Sequence, residues 1–306
     1  MSFRRRWFPI LLSGIFVVAM VATSDILGCP EVLFPEMTAI LCGAWIQPTQ
    51  AWNVDRPRML LLMCAGALFG LATNLLLPWP VYLRAPLGFA FCAALMNAVG
   101  ADMTPMLSAT ILPMLLNTRE WTYPLAVFVL VSIVLVGQVI LERVGLREPI
   151  DYHVFRTPPR ETLLGWGRRL VVFSLLACPA YATGNVFFAV PPLLVAFTEL
   201  TRPDMTLRLR PVRAWAALSI ASVIGTLARS AHVVLGAPLA ICALFAYALL
   251  ILTWDRLRTW LPPAGAVVLL ALLAPWPNAW LYPVEVTIGA AIWVAAALVL
   301  FPGIRP

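Results

Sequence analysis

Apolar runs about as long as a membrane is thick recur along this chain, at Trp7–Leu27, Met59–Leu77, Tyr123–Leu141 and Tyr282–Phe301. Wound as helices at about 1.5 Å per residue, each spans a hydrocarbon core of about 30 Å. Only 11% of the 306 residues are charged, against roughly 25% in an ordinary soluble domain. That surface could not face water. The runs are continuous and lack the period-two alternation of a membrane β-barrel. An all-α polytopic membrane protein is the expected fold class.

The one long polar stretch, Glu142–Arg169, carries ten charges in 28 residues. On either side of it the same landmarks recur. Gly70 answers Gly225, Pro86 answers Pro238 at a spacing of 152, and Tyr123-Pro124 answers Tyr282-Pro283 at a spacing of 159. Gln47-Pro48 to Arg58 corresponds to Arg202-Pro203 to Arg213, and Thr104-Pro105 to Pro262-Pro263. The expectation is a tandem duplication: a first membrane repeat at 1–146, a cytoplasmic linker at 147–163 and a second repeat at 164–306. Each copy would hold six elements, about 12 in all, in two parallel repeats forming a pseudo-dimer.

Within copy one the reading is a helix to Leu27, a short element Leu33–Ile46, and a helix Met59–Leu77 with Gly66 and Gly70 spaced for close packing. Then come a helix from about Pro86 to Val99, a short element Met103–Leu116 and a helix Tyr123–Leu141. The 14 residues of Leu33–Ile46 give only roughly 21 Å. Such a segment either re-enters on one side or crosses inside the bundle, where it lines a cavity and not lipid. Crossing is preferred, because it leaves only Arg84, Arg119 and Arg229, of 21 arginines, on one side. By the positive-inside rule both termini are then cytoplasmic, in a cell inner membrane. The chain has no lysine, and its net charge of +7 is read as membrane anchoring, not as a nucleic-acid surface. Arg4–Arg6 with Trp7–Ala22 is read as an uncleaved first helix.

No phosphate-binding, dinucleotide, zinc-protease or nucleophile-elbow motif occurs, so an enzyme is not expected. Six scattered cysteines, without a CxxC spacing, read as small core residues, and two lone histidines, His153 in the linker and His232 in a loop, make no metal site. No cofactor is expected. The partners expected are the bilayer, a small solute and a further copy of the chain.

The informative segment is Leu261-Pro262-Pro263-Ala264-Gly265-Ala266-Val267-Val268-Leu269-Leu270-Ala271. Two prolines open a helix, and Ala-Gly-Ala lets a neighbour approach its backbone. Free N–H groups at such a helix start attract an anion, whereas close packing alone also accounts for the small residues. This segment resembles the signature of the HPP family of integral membrane proteins, roughly His-Pro-Pro-Ala-Gly-Ala-Thr-Ala-Leu-Leu-Ala. The family's histidine is Leu261 here and its threonine is Val267. The resemblance covers the second half; in the first, Asp102-Met103-Thr104-Pro105 stands in the signature's place. It implies transport of a small anion, nitrite being the activity attached to plant relatives. Gly43–Gly70 is also similar to exporters of the fusaric-acid and aromatic-acid type.

The expected function is therefore a transporter or channel for a small anionic solute, the alternatives being an aromatic-acid exporter and a non-transporting membrane scaffold. The expected solute-binding residues are Pro105, Ser108, Thr110, Pro263, Ala264 and Gly265, with Asn74 and Asn97 deeper in the bundle. Other polar residues in apolar surroundings are Asp25, Glu31, Glu36, Asp102, Thr198, Glu199 and Glu285. Most stand near helix ends, where a carboxylate serves as a cap, and Glu36 and Asp102 are read in that way.

Overall fold

The computed structural model describes residues 3–154, 159–202, 205–275 and 278–301, and among these the regular structure is helical throughout. In chain order the α-helices are α1 (Phe3–Leu27), α2 (Glu36–Leu41), α3 (Arg56–Leu76), α4 (Val81–Val99), α5 (Pro105–Leu116) and α6 (Thr122–Arg143). They continue as α7 (Pro159–Ala182), α8 (Pro191–Leu200), α9 (Pro211–Leu235), α10 (Leu239–Leu257), α11 (Pro262–Leu270) and α12 (Leu281–Leu300). A π turn, Cys42–Ile46, prolongs α2. By length and composition eight of them, not twelve, can cross a bilayer: α1, α3, α4, α6, α7, α9, α10 and α12. The outer faces of these eight carry large apolar side chains in the open, such as Ile15 at 67% exposure and Phe245 at 66%. Such a surface is stable against lipid and not against water.

The four short helices form the centre. Every residue of α2 and its π turn, of α8 and of α11 is buried, as are ten of the twelve in α5. Their backbones therefore meet protein and not lipid, which is what lets short, proline-opened helices persist in such a bundle. Packing pairs the long helices with the short ones in a matching way. In the first half α3 lies against α4, α5 and α6; in the second α9 lies against α10, α11 and α12. Across the halves α1 packs on α10 and α4 on α7, while α2 packs on α11 and α5 on α8.

Arginine marks one end of the bundle. There Arg6 pairs with Asp255 at 2.5 Å, Arg5 donates to Gly145 O at 2.8 Å, and Arg56 pairs with Glu142. Arg58 reaches Val99 O, and Arg208 reaches Phe301 O. The starts of α1 and α3 and the ends of α4, α6, α10 and α12 thus gather at that end. The end of α8 also lies there, beside the start of α5, where Thr104 Oγ1 donates to Glu199 at 2.8 Å. Gln47, after the π turn, donates to Trp260 O at 3.4 Å, just before α11. Arg84 lies at the opposite end, bonded to Asn74.

Two prolines inside helices explain two ties between helices. Proline has no N–H, so the carbonyl four residues earlier loses its donor. In α4, Pro86 frees Tyr82 O, which accepts the Cys178 thiol of α7 at 3.1 Å. In α5, Pro113 frees Ala109 O, which accepts the Tyr123 hydroxyl at 2.9 Å. Close approach explains two glycines. A Cβ on Gly70 would lie 2.3 Å from Thr110 O, and one on Gly225 would lie 2.4 Å from Val268 O. Two departures from the sequence reading are local. α4 begins at Val81, with Pro86 inside it, and His232 belongs to the last turn of α9 and not to a loop. All six cysteines are free.

Candidate functional site

α2 starts in the interior of the bundle. Phe34 and Pro35 are both buried, and the helix opens directly on Glu36, which is 2% exposed. Neither carboxylate oxygen has a hydrogen-bond partner among the described residues, nor has the hydroxyl of Thr38, two residues on. Ser108 of α5 is fully buried and close enough to interact with Glu36, yet its Oγ makes no well-formed hydrogen bond among the described residues. From the other side α11 comes so close that a Cβ on Gly265 would stand 2.6 Å from Thr38 Cγ2.

Two tyrosines frame the acid. Tyr123 of α6 and Tyr282 of α12 lie within electrostatic reach of Glu36. Their hydroxyls are committed elsewhere, to Ala109 O at 2.9 Å and Val267 O at 2.7 Å. Phe34 meets Tyr123 edge-on at 5.9 Å, and Phe187 meets Tyr282 edge-on at 5.1 Å. With both phenols committed to backbone carbonyls, Glu36, Thr38 and Ser108 stand as three buried polar side chains without a hydrogen-bond partner among the described residues. Each unsatisfied buried group costs about 1–3 kcal/mol, and an ionised carboxylate at mid-membrane costs at least about 2.5 kcal/mol. Packing alone gives no reason to keep them.

A second buried acid behaves differently. Glu199, at the end of α8, accepts from Trp52 Nε1 at 2.9 Å and from Thr104 Oγ1 at 2.8 Å. Beside it Arg202 pairs with Asp102, and Arg169 Nε donates to Thr201 Oγ1 at 2.7 Å. These contacts tie the loops before α3 and α5 to the end of α8 and the loop that follows it. At the same end a cleft of about 860 Å³ opens at the foot of α2, lined by Arg6, Gln47, Asp255, Arg258 and Trp260 among others.

The residues expected from sequence divide into two groups. Ser108 and Gly265 meet at α2, beside Glu36 and Thr38. Pro105, Pro263 and Ala264 lie buried in the first turns of α5 and α11. Amides of those turns are not open to a solute, because Met106 N, Leu107 N and Ala264 N bond to Met103 O, Thr104 O and Leu261 O, each at 3.0 Å. Thr110 turns toward α3 and α4, bonding Met106 O at 2.9 Å and standing 3.1 Å from Cys92 Sγ. Asn74 closes the far end of α5 through Pro113 O and Thr118 O, both at 2.7 Å. Asn97 bonds back to Ala93 O and borders a pocket with Arg58 at the arginine end.

Sequence reasoning does not single out Thr38, and it takes Glu36 for a helix cap, whereas the helix that Glu36 opens starts inside the protein. The signal was present in Phe34-Pro35-Glu36, an acid with no other charge between Leu33 and Ile46. No cluster of three or more His, Cys, Asp or Glu side chains that could hold a metal occurs among the described residues.

Eight bilayer-length helices around a largely buried set of short ones define a polytopic helical membrane protein. Comparison of the chain with protein-family models, with curated proteins and with solved structures returns no match.

Proposed function

We propose that the protein is a membrane transporter for a small anionic solute, with the crossing of α2, α5 and α11 as its binding region. The observation that carries this reading is the unpartnered trio Glu36, Thr38 and Ser108, sealed in the centre of a membrane bundle. Polar groups in such a place mark pathways more often than scaffolding. With its proton on, Glu36 joins the two hydroxyls as a set of three donors, which suits an anion.

In the same reading the chain is two six-element units placed the same way up. The matched pairings α1 on α10 with α4 on α7, and α2 on α11 with α5 on α8, support a rotation about an axis along the membrane normal. The arginine-rich end is cytoplasmic by the positive-inside rule, which puts both termini there, in an inner membrane. α11 is the helix formed by the HPP-like stretch, and its Gly265 is what admits Thr38.

Purified protein in liposomes tests the function, with nitrite, formate and benzoate as probes of stated size. Flux of the small anions above that of empty vesicles is expected. Flux of benzoate alone favours the aromatic-acid exporter, and flux at the empty-vesicle rate for all three removes transport in favour of a scaffold.

A further inference from the structure

Glu36 poses a problem that transport by itself does not solve. Both of its oxygens are buried without a partner among the described residues, and so is the Oγ of Ser108 beside it. An ionised carboxylate needs donors or a cation in an apolar interior. Among the described residues the elements packed around it supply no cation, and the hydroxyls at hand, those of Ser108 and Thr38, make no well-formed hydrogen bond to it. α5 offers Ser108 and has no charged residue; α6 and α12 offer the phenols of Tyr123 and Tyr282, whose hydroxyls serve backbone carbonyls. α11 has no titratable residue, and α1 keeps its charged residues, Arg4–Arg6 and Asp25, at exposed ends. The acid of α12, Glu285, lies near the Phe187 backbone, and its Oε2 is without a partner among the described residues. The neutral acid is therefore the form this packing accommodates.

We propose that Glu36 carries a proton across the membrane together with the anion, making the protein a proton–anion symporter. The inference rests on the transport reading above and deepens it. Glu36 takes a proton from the compartment to which the crossing is open, and the anion binds to the acid and to the Thr38 and Ser108 hydroxyls. With the charge of a monovalent anion balanced by that proton, the pair moves through the closed state shown here. Opening to the other side wets the carboxyl, and proton and anion leave together. The return step runs with the site empty and Glu36 ionised, its proton left behind with the anion and the Thr38 and Ser108 hydroxyls turned onto the carboxylate; exchange of one anion for another runs instead with the proton kept on Glu36. Glutamine at position 36 mimics the neutral acid and fits the same space, so exchange persists while the proton has no carrier.

Two measurements on the full-length protein decide this. Infrared spectroscopy in H₂O and D₂O should show a carboxylic-acid carbonyl band that Glu36→Gln removes and that Glu199→Gln leaves in place. Ser108→Ala should shift that band without abolishing it. If Glu36→Gln leaves the carboxylic-acid signal intact, Glu36 is not the proton holder and the proposal falls, whatever the transport result. In liposomes, an inward proton gradient should raise anion accumulation by up to about tenfold per pH unit, the limit for one-to-one coupling. Glu36→Gln should lose that response and keep anion exchange. A wild-type flux indifferent to the gradient overturns the coupling while transport stands. Absence of any flux overturns transport and coupling together, and the infrared result then decides the charge state alone.

Discussion

Gly70→Ala is the substitution whose effect follows most directly from the packing of α3 on α5. The added Cβ would stand 2.3 Å from Thr110 O and 2.6 Å from Pro113 Cγ, where ordinary contact begins at 3.4 Å. The backbone oxygen cannot turn aside, so the two helices must part by about 1 Å. Asn74, one turn further along α3, holds Pro113 O and Thr118 O at 2.7 Å each. A separation of about 1 Å takes both beyond the roughly 3.2 Å reach of a hydrogen bond. Overpacking costs about 1–3 kcal/mol and each interhelical bond in a membrane protein about 0.6 kcal/mol, which gives about 2–4 kcal/mol together. Equilibrium unfolding in mixed micelles of rising dodecyl-sulfate content would show this as an earlier midpoint. Gly225→Ala should behave alike, since its Cβ would meet Val268 O at 2.4 Å. Gly167→Ala is the control: nothing lies within 4 Å, and the change should be stabilising by no more than about 1 kcal/mol. A Gly70→Ala protein that unfolds at the wild-type midpoint would refute the reasoning.

Two further predictions concern polar groups. Tyr123→Phe should destabilise more than Tyr282→Phe, by about 1 kcal/mol, because Ala109 O has lost its helical donor to Pro113 while Val267 O still accepts Ala271 N–H; equal midpoints would count against the assignment. Arg147, in the loop after α6, has a fully buried side chain that donates to Glu142 at 3.3 Å and to Gly43 O at 3.4 Å. Glu142→Gln strands this cation and should cost about 3 kcal/mol, whereas Arg147→Met should stay within about 1 kcal/mol of wild type. Burial pushes the Arg147 guanidinium down to about 10, against the pull of Glu142. The folded state then holds that proton less tightly than the unfolded chain does. Wild type should therefore gain stability relative to Arg147→Met as the pH rises past 10, and unfolding midpoints on either side of that value check the sign.

The sequence by itself determined that this is a helical membrane protein and where its long helices lie. That information is local: a run of apolar side chains of bilayer length is costly anywhere except in lipid or protein, whatever its neighbours do. Gly70 was likewise readable as a close-packing position, because a missing side chain has few other uses within an apolar helix. The role of Glu36 was not readable in that way. A carboxylate at a helix start is a favourable cap at a membrane surface and a costly group in the interior, and the one-dimensional pattern is the same in both. Only the tertiary structure brings α5, α6, α11 and α12 around α2 and so fixes the depth at which that helix begins. The same holds for the first-turn amides of α5 and α11, which look open in sequence and are closed by carbonyls three residues back. Depth and hydrogen-bond partners are properties of the assembled bundle, and a single helix read alone does not contain them.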